Sequence, residues 1–138
     1  MRWIVFFIYL NVSLHAGHII VNKQNPISQL NVSEIRQIFT LKKLAWDDGS
    51  TISVYMLPSA SPTQNIFTNA YLHMNAREVY EKWMAYILNG GMNKPPLFLN
   101  ERRLIKQIDR NIHSIGIVSD NAELTSGIKV IYHFSETL

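Results

Sequence analysis

The chain has 138 residues, with 13 lysines and arginines against 10 aspartates and glutamates, and no cysteine. The length allows one ordinary domain with a single core, and the absence of cysteine excludes disulfides, thiol catalysis and Cys-ligated metals. The positive surplus is too small to indicate a nucleic-acid partner, and we expect none.

Residues 1–16 have the composition of a secretory signal. One charged residue, Arg2, precedes an apolar run, and Ala16 supplies the small residue of a cleavage site. Polar residues interrupt the run well short of the roughly 20 apolar residues that a membrane helix needs. We therefore expect cleavage after Ala16 and a periplasmic or secreted domain over residues 17–138. A buried N-terminal strand or an uncleaved anchor is the alternative.

The first elements of the expected mature chain are a strand and a helix. Residues 18–21 are a short β-branched run, and a turn follows at residues 25–26. Asn31 and Glu34 form an N-x-x-E helix start. The helix that they predict stops near Thr40, and its apolar stripe is Val32, Ile35, Ile38 and Phe39.

A loop with a tight turn leads into the second strand. Trp46 lies in this loop and is expected to cover the core, and the Asp-Asp-Gly of residues 47–49 favours a turn. Residues 52–57 alternate apolar and polar side chains and are rich in residues that favour strands. The sequence therefore predicts a strand that ends just before residue 58.

The following stretch, residues 59–67, predicts a strand-to-helix turn around which the chain is organised. Ser61 can cap the helix, Pro62 takes the first helical position, and Gln64 stands where a capping box has Glu or Gln. The apolar residues that continue the helix recur at three-and-four spacing: Ile66, Phe67, Ala70, Tyr71 and Met74.

This helix start also has the features of an anion site. Unpaired N–H groups and the positive end of the helix dipole favour an anion, and Ser59, Ser61 and Thr63 add hydroxyl donors. The alternative is that these residues only cap a surface helix, which is the commoner use of serine at such a position.

Two more helices and two more strands complete the chain. Asn75 and Asn100 are the predicted caps of the helices, and residues 115–118 and 128–132 are the predicted strands. The glycines of residues 89–91 end the third helix, and the prolines of residues 94–96 force an extended connection. The apolar stripes are Val79, Tyr80, Trp83, Tyr86 and Ile87 in the third helix, and Leu104, Ile105 and Ile108 in the fourth.

Alternation of strands and helices predicts an α/β fold. We expect a mixed, mostly parallel sheet covered by helices in one domain. The residues predicted to share its core are Phe39, Trp46, Phe67, Trp83 and Ile115.

Five short motifs, in this order, resemble those of the phosphate-type periplasmic substrate-binding proteins of ABC transporters, in the type 2 periplasmic binding protein superfamily. They occupy residues 22–26, 30–39, 46–49, 61–67 and 113–118. The fourth, Ser-Pro-Thr-Gln-Asn-Ile-Phe, is similar to the family's S-G-T-r-x-x-F. The resemblance implies the fold of part of such a protein, because the family's typical members are about twice as long and have two lobes.

The departures from the family's pattern fall on its ligand site. The resemblance places the family's glycine at Pro62, and its two oxyanion-binding arginines at Gln64 and Met56. Neither glutamine nor methionine carries a charge. Charged, bidentate recognition of phosphate is therefore missing from the place where the family has it.

Two functions follow from the resemblance. One is a solute-binding module for phosphate or a related oxyanion, working with a membrane permease, whose ligand residues are Ser59, Ser61, Thr63 and Gln64. The other is a non-enzymatic accessory or interaction domain with another exported protein as partner. The lost arginines and the short chain favour the second.

Nothing in the sequence indicates an enzyme. The histidines of the expected mature chain are scattered, with no metal-ligand spacing and no nameable His-Asp partner for Ser61. We expect no catalytic residue, no metal and no cofactor.

Overall fold

A five-stranded mixed sheet forms the centre of the computed structural model, which describes residues 15–90 and 97–136. The strands lie in the spatial order β3-β2-β4-β1-β5. Their bounds are His15–Asn22 (β1), Ser53–Met56 (β2), Leu97–Phe98 (β3), Ser114–Ser119 (β4) and Ile128–Ser135 (β5).

Strand β1 is oriented in the opposite direction to the other four described strands. β2 is parallel to β3 and to β4, whereas β1 is antiparallel to both of its neighbours, β4 and β5. β5 therefore points the same way as β2, β3 and β4. The predicted mixed, mostly parallel sheet is confirmed.

Four helices connect and cover the strands. They are Val32–Phe39 (α1), Pro62–Phe67 (α2), Ala76–Leu88 (α3) and Glu101–Arg110 (α4). A π-helical segment, Thr68–Leu72, continues α2 directly. It ends at His73, whose left-handed backbone (φ 54°) stops the helix.

The predicted caps are confirmed at all four helix starts. The side chains of Asn31, Ser61, Asn75 and Asn100 each accept a hydrogen bond from the backbone N–H three residues later. At α1 the capping box is complete, because the Glu34 carboxylate also accepts from the Asn31 N–H at 3.4 Å. These contacts are local, which is why sequence spacing alone locates the helix starts.

Helices cover both faces of the sheet. Ile19 and Ile20 are neighbours in β1, so their side chains point to opposite faces, and both are fully buried. α4 lies against one face at Gly116, where an added Cβ would approach Ile108 Cδ1 within 2.7 Å. Strand β2 is buried along its whole length, so the alternation of apolar and polar residues in its sequence does not correspond to alternating burial.

One continuous hydrophobic cluster forms the core, and it contains all five predicted core residues. Trp46 is buried at the edge of this cluster, and its indole N–H donates to the His113 carbonyl oxygen at 2.9 Å. The expected role of Trp46 as a cover of the core is thereby confirmed.

Helix α3 buries a narrower stripe than the sequence predicts. Val79 and Trp83 are buried, but Tyr80 and Tyr86 are 41% and 44% exposed. The ring of Tyr80 lies 5.0 Å from that of Phe98, in the short edge strand β3. Only one side of α3 faces the core, so the prediction that both tyrosines belong to the buried stripe is wrong.

The first of the five motifs ties the end of β1 to the end of α4. The Asn22 side-chain amide donates to the carbonyl oxygens of Ile108 and Asp109, both at 2.9 Å. The Asn25 amide donates to the Ile112 carbonyl at 3.0 Å. Both asparagines are buried, and they pair backbone carbonyls near the C-terminus of α4.

Two predictions fall wholly or partly outside the described residues. Residues 94–96 lie outside them, as does the predicted signal except for His15 and Ala16. Those two residues belong to β1, where His15 is opposite Ser135. Cleavage after Ala16 would shorten this strand by its first two residues. Within the described ranges, no helix is long and apolar enough to cross a membrane.

Candidate anion-binding site

The candidate site lies at the edge of the sheet where β2 ends and α2 begins. β2 ends at Met56, and a tight turn then leads to the cap of α2 at Ser61. The parallel strands β3 and β4 end at this same edge. In open α/β sheets, ligands bind outside the carboxyl ends of the strands, so the location is suitable for a site.

Most N–H groups of this helix start already have acceptors within the chain. The Ser61 N–H donates to the Pro58 carbonyl at 2.9 Å, and the Asn65 N–H donates to the Ser61 carbonyl at 3.1 Å. The Gln64 N–H donates to the Ser61 hydroxyl at 3.4 Å. Ser61 therefore acts as the cap of α2, and its hydroxyl oxygen is occupied as an acceptor.

Few donors remain at the surface of the turn. Pro62 has no N–H, which leaves the Thr63 N–H as the one first-turn donor without an acceptor among the described residues. Ser59 is exposed, and the side chains of Ser61 and Thr63 are half-buried. An anion here would meet one backbone donor and three hydroxyls.

The Gln64 side chain faces the core, where it cannot reach a ligand at the surface. It is fully buried, its Oε1 accepts from the Leu57 N–H at 3.2 Å, and its Nε2 donates to Met56 Sδ at 2.9 Å. Both polar atoms of this side chain, which was expected to bind a ligand, therefore have partners within the fold. Instead, it joins the end of β2 to the first turn of α2 because both of its polar atoms are used there.

The sequence segment around the site contains no formally charged side chain. Residues 49–76 contain no aspartate, glutamate, lysine or arginine. Met56, at the position of one of the family's arginines, is fully buried. The segment that forms the turn therefore supplies hydrogen-bond donors but no cation.

Two other groups have shifted pKa values that the fold explains. Hydrogen bonds from the Ser50 hydroxyl and N–H lower the pKa of Asp48, which lies in the predicted turn. Burial raises the pKa of the Tyr71 phenol, and the hydrogen bond to the Tyr132 hydroxyl acts in the same direction. Each shift is explained by a structural hydrogen-bond partner, Ser50 for Asp48 and Tyr132 for Tyr71.

The histidines are less scattered than the sequence suggests. His73 approaches Arg36, with 3.4 Å between the ring nitrogen and the guanidinium. His18 and His133, 115 positions apart, bring their Nδ1 atoms to 2.8 Å. No sequence signal could have shown this pair, because it depends on the register of β1 against β5. Within the described ranges, no group of three or more histidines, aspartates and glutamates is placed to hold a metal.

Comparisons with known proteins find similarity in structure alone. No family model matches the sequence. No curated protein matches it either.

Several solved structures share the fold. A phosphate ABC transporter substrate-binding protein from Clostridium perfringens, solved with bound phosphate, matches 85% of this chain at 17% identity with a TM-score of 0.66. An ABC-type phosphate transport receptor from Vibrio cholerae matches 85% at 16% identity with a TM-score of 0.65. PstS from Borrelia burgdorferi matches 77% at 14% identity with a TM-score of 0.57.

These likenesses confirm the resemblance at the level of the fold. The matched region is 44%, 45% and 41% of the Clostridium, Vibrio and Borrelia chains, so this chain spans less than half of each. It has the fold of part of a phosphate-transporter substrate-binding protein.

Proposed function

We propose that this chain, with the fold of part of a phosphate ABC transporter substrate-binding protein, is an exported, non-enzymatic accessory or interaction domain. The observation that supports this is the buried contact between Gln64 Nε2 and Met56 Sδ at 2.9 Å. The resemblance places the family's two oxyanion-binding arginines at these positions. Here both positions hold neutral side chains, which contact each other inside the core, so neither supplies charge to an anion.

The remaining donors make a weak site for an oxyanion. Charge-assisted bonds are roughly twice as strong as neutral ones, and the Ser59-to-Thr63 turn offers only neutral donors. Its hydroxyls are exposed or half-buried, so water competes for each of them. Tight ligand sites bury most of the ligand, and this turn alone does not enclose one.

A solute-binding module for phosphate or a related oxyanion is the second candidate. It is favoured by the Clostridium perfringens structure, which has this fold and holds phosphate. In that case Ser59, Ser61 and Thr63 would donate to the anion, with the Thr63 N–H as the backbone donor. A second lobe would have to cover the site, and a membrane permease would be the partner.

Phosphate titration of the Ser61 helix start separates the two candidates. Ser61→Ala should lower the free energy of unfolding by roughly 0.5–2 kcal/mol in either case, because α2 loses its cap. The two candidate functions differ in the effect of added anion, since an anion that binds preferentially to the folded state raises the melting temperature. We expect no more than a small rise for the wild-type protein at millimolar phosphate and constant ionic strength. Calorimetric titration with phosphate, sulfate and related oxyanions should likewise show little heat.

Thr63→Ala is the matched variant, because it removes a hydroxyl from the same turn without removing the cap. A rise of several degrees with phosphate, abolished in both Ser61→Ala and Thr63→Ala, would overturn the accessory function in favour of solute binding. Cross-linking in the native host would then identify the partner. A permease would point to transport, whereas another exported protein would point to the accessory role.

Export is tested by the mass of the native protein. We expect mature material to begin near Gly17, because a charged residue, an apolar run and the small residue Ala16 precede it. Intact-mass spectrometry of protein isolated from the native host measures this directly. Recovery of chains that still begin at Met1 would contradict cleavage.

A further inference from the structure

Two histidines lie directly opposite each other on neighbouring strands. His18 in β1 is the register partner of His133 in β5, and the two strands are antiparallel. Residues directly opposite in an antiparallel pair project from the same face. β1 is held on both sides, since His18 also lies opposite Val118 of β4. The strand pairing therefore fixes the relative positions of the two Cα atoms from which the imidazole side chains extend.

The two rings direct the same kind of atom toward each other. Their centroids are 4.6 Å apart, their planes cross at 86°, and the Nδ1 atoms are separated by 2.8 Å. Without a metal, one Nδ1–H can donate to the other Nδ1, which requires the two rings to be different tautomers. When both Nδ1 atoms are deprotonated, their lone pairs converge on one region, which is the arrangement that a metal ion uses.

We propose that His18 and His133 form a binding site for a divalent transition-metal ion with square-planar or tetragonal preference, Cu²⁺ or Ni²⁺. Metal–nitrogen bonds of about 2.0 Å at a right angle place the two nitrogens about 2.8 Å apart. A tetrahedral ion such as Zn²⁺ needs about 3.3 Å between them at the same bond length. The observed 2.8 Å matches the square-planar value without movement of either strand.

The surroundings of the pair allow a metal to reach it. The His133 side chain is exposed and that of His18 is half-buried, so water can fill the remaining coordination positions. Because the two described ligands are fewer than a structural metal site has, binding is moderate and reversible. Imidazole is a good ligand for copper and nickel, and the pairing of two strands holds both rings in advance. The proposed site does not depend on whether the chain is an accessory domain or a solute-binding module.

Copper titration of the full chain, prepared without a polyhistidine tag, tests the site. We expect one Cu²⁺ per chain by calorimetry, and an electron paramagnetic resonance spectrum with hyperfine coupling to two imidazole nitrogens. His18→Ala and His133→Ala should each weaken binding at least tenfold and reduce the coupling to one imidazole. Nickel should bind at the same place and be displaced by copper, following the general order of affinities.

His73→Asn is the control, because it removes an exposed histidine elsewhere and asparagine tolerates the left-handed backbone found there. It should leave copper affinity and the spectrum unchanged. Melting curves without metal show whether each variant is folded, and a second pair, His18→Gln and His133→Gln, replaces any alanine variant that is not. Copper binding that is equally strong in the folded His18 and His133 variants, or that falls in His73→Asn, would overturn the proposal.

Discussion

Phe67→Ala is expected to lower the free energy of unfolding by about 3–5 kcal/mol, as removal of a large core aromatic does. Phe67 is 0% exposed, at the end of α2. Its ring lies 4.9 Å from that of Phe39, 5.4 Å from that of Tyr71 and 5.2 Å from that of Phe134. Truncation removes contacts with a helix, the π-helical segment and β5 together. Denaturant unfolding of the full chain measures the loss.

Tyr86→Ala is the matched control for this experiment. Tyr86 is also an aromatic residue on a helix, but it is 44% exposed. Its truncation leaves no large cavity and should cost less than about 1 kcal/mol. A loss below about 1 kcal/mol in Phe67→Ala would place Phe67 at the surface and contradict the core described above.

Gln64→Ala is expected to lower the free energy of unfolding by about 1–3 kcal/mol, with no effect on oxyanion binding. The alanine variant leaves the Leu57 N–H without its acceptor, and a buried donor left unpaired costs about that amount. It also loses the contact between Nε2 and Met56 Sδ, which is buried. Denaturant unfolding measures the stability change, and calorimetric titration with phosphate measures the second part of the prediction.

Asn69→Ala provides the comparison. Asn69 is an amide in the continuation of the same helix, but its side chain is exposed. Its substitution should change stability by no more than about 0.5 kcal/mol. If Gln64→Ala were as mild as Asn69→Ala while measurably weakening an interaction with phosphate, the Gln64 side chain would face a ligand. The buried contact with Met56 would then not be the state of the protein in solution.

Ser61 and Gln64 show which structural features a local sequence pattern can predict and which it cannot. Ser61 caps α2 as its position predicts, because the cap contacts an N–H only three residues away. Gln64 occupies the right position for a capping box, yet its side chain turns inward to Leu57 and Met56. The choice between these two orientations depends on the packing of α2 against the end of β2. That packing is a tertiary contact, which spacing along the chain does not specify.

The sequence by itself determined the positions of the helix starts, the apolar stripes of α1 and α4, five members of the core and the mixed α/β class. These features arise from contacts between residues three or four apart, or from the need to bury apolar side chains. Only the tertiary structure decided the two-residue strand β3, the position of β1 between β4 and β5, and the exposure of Tyr80 and Tyr86. It also decided the meeting of His18 with His133, because strand register brings together residues 115 positions apart that no local pattern connects.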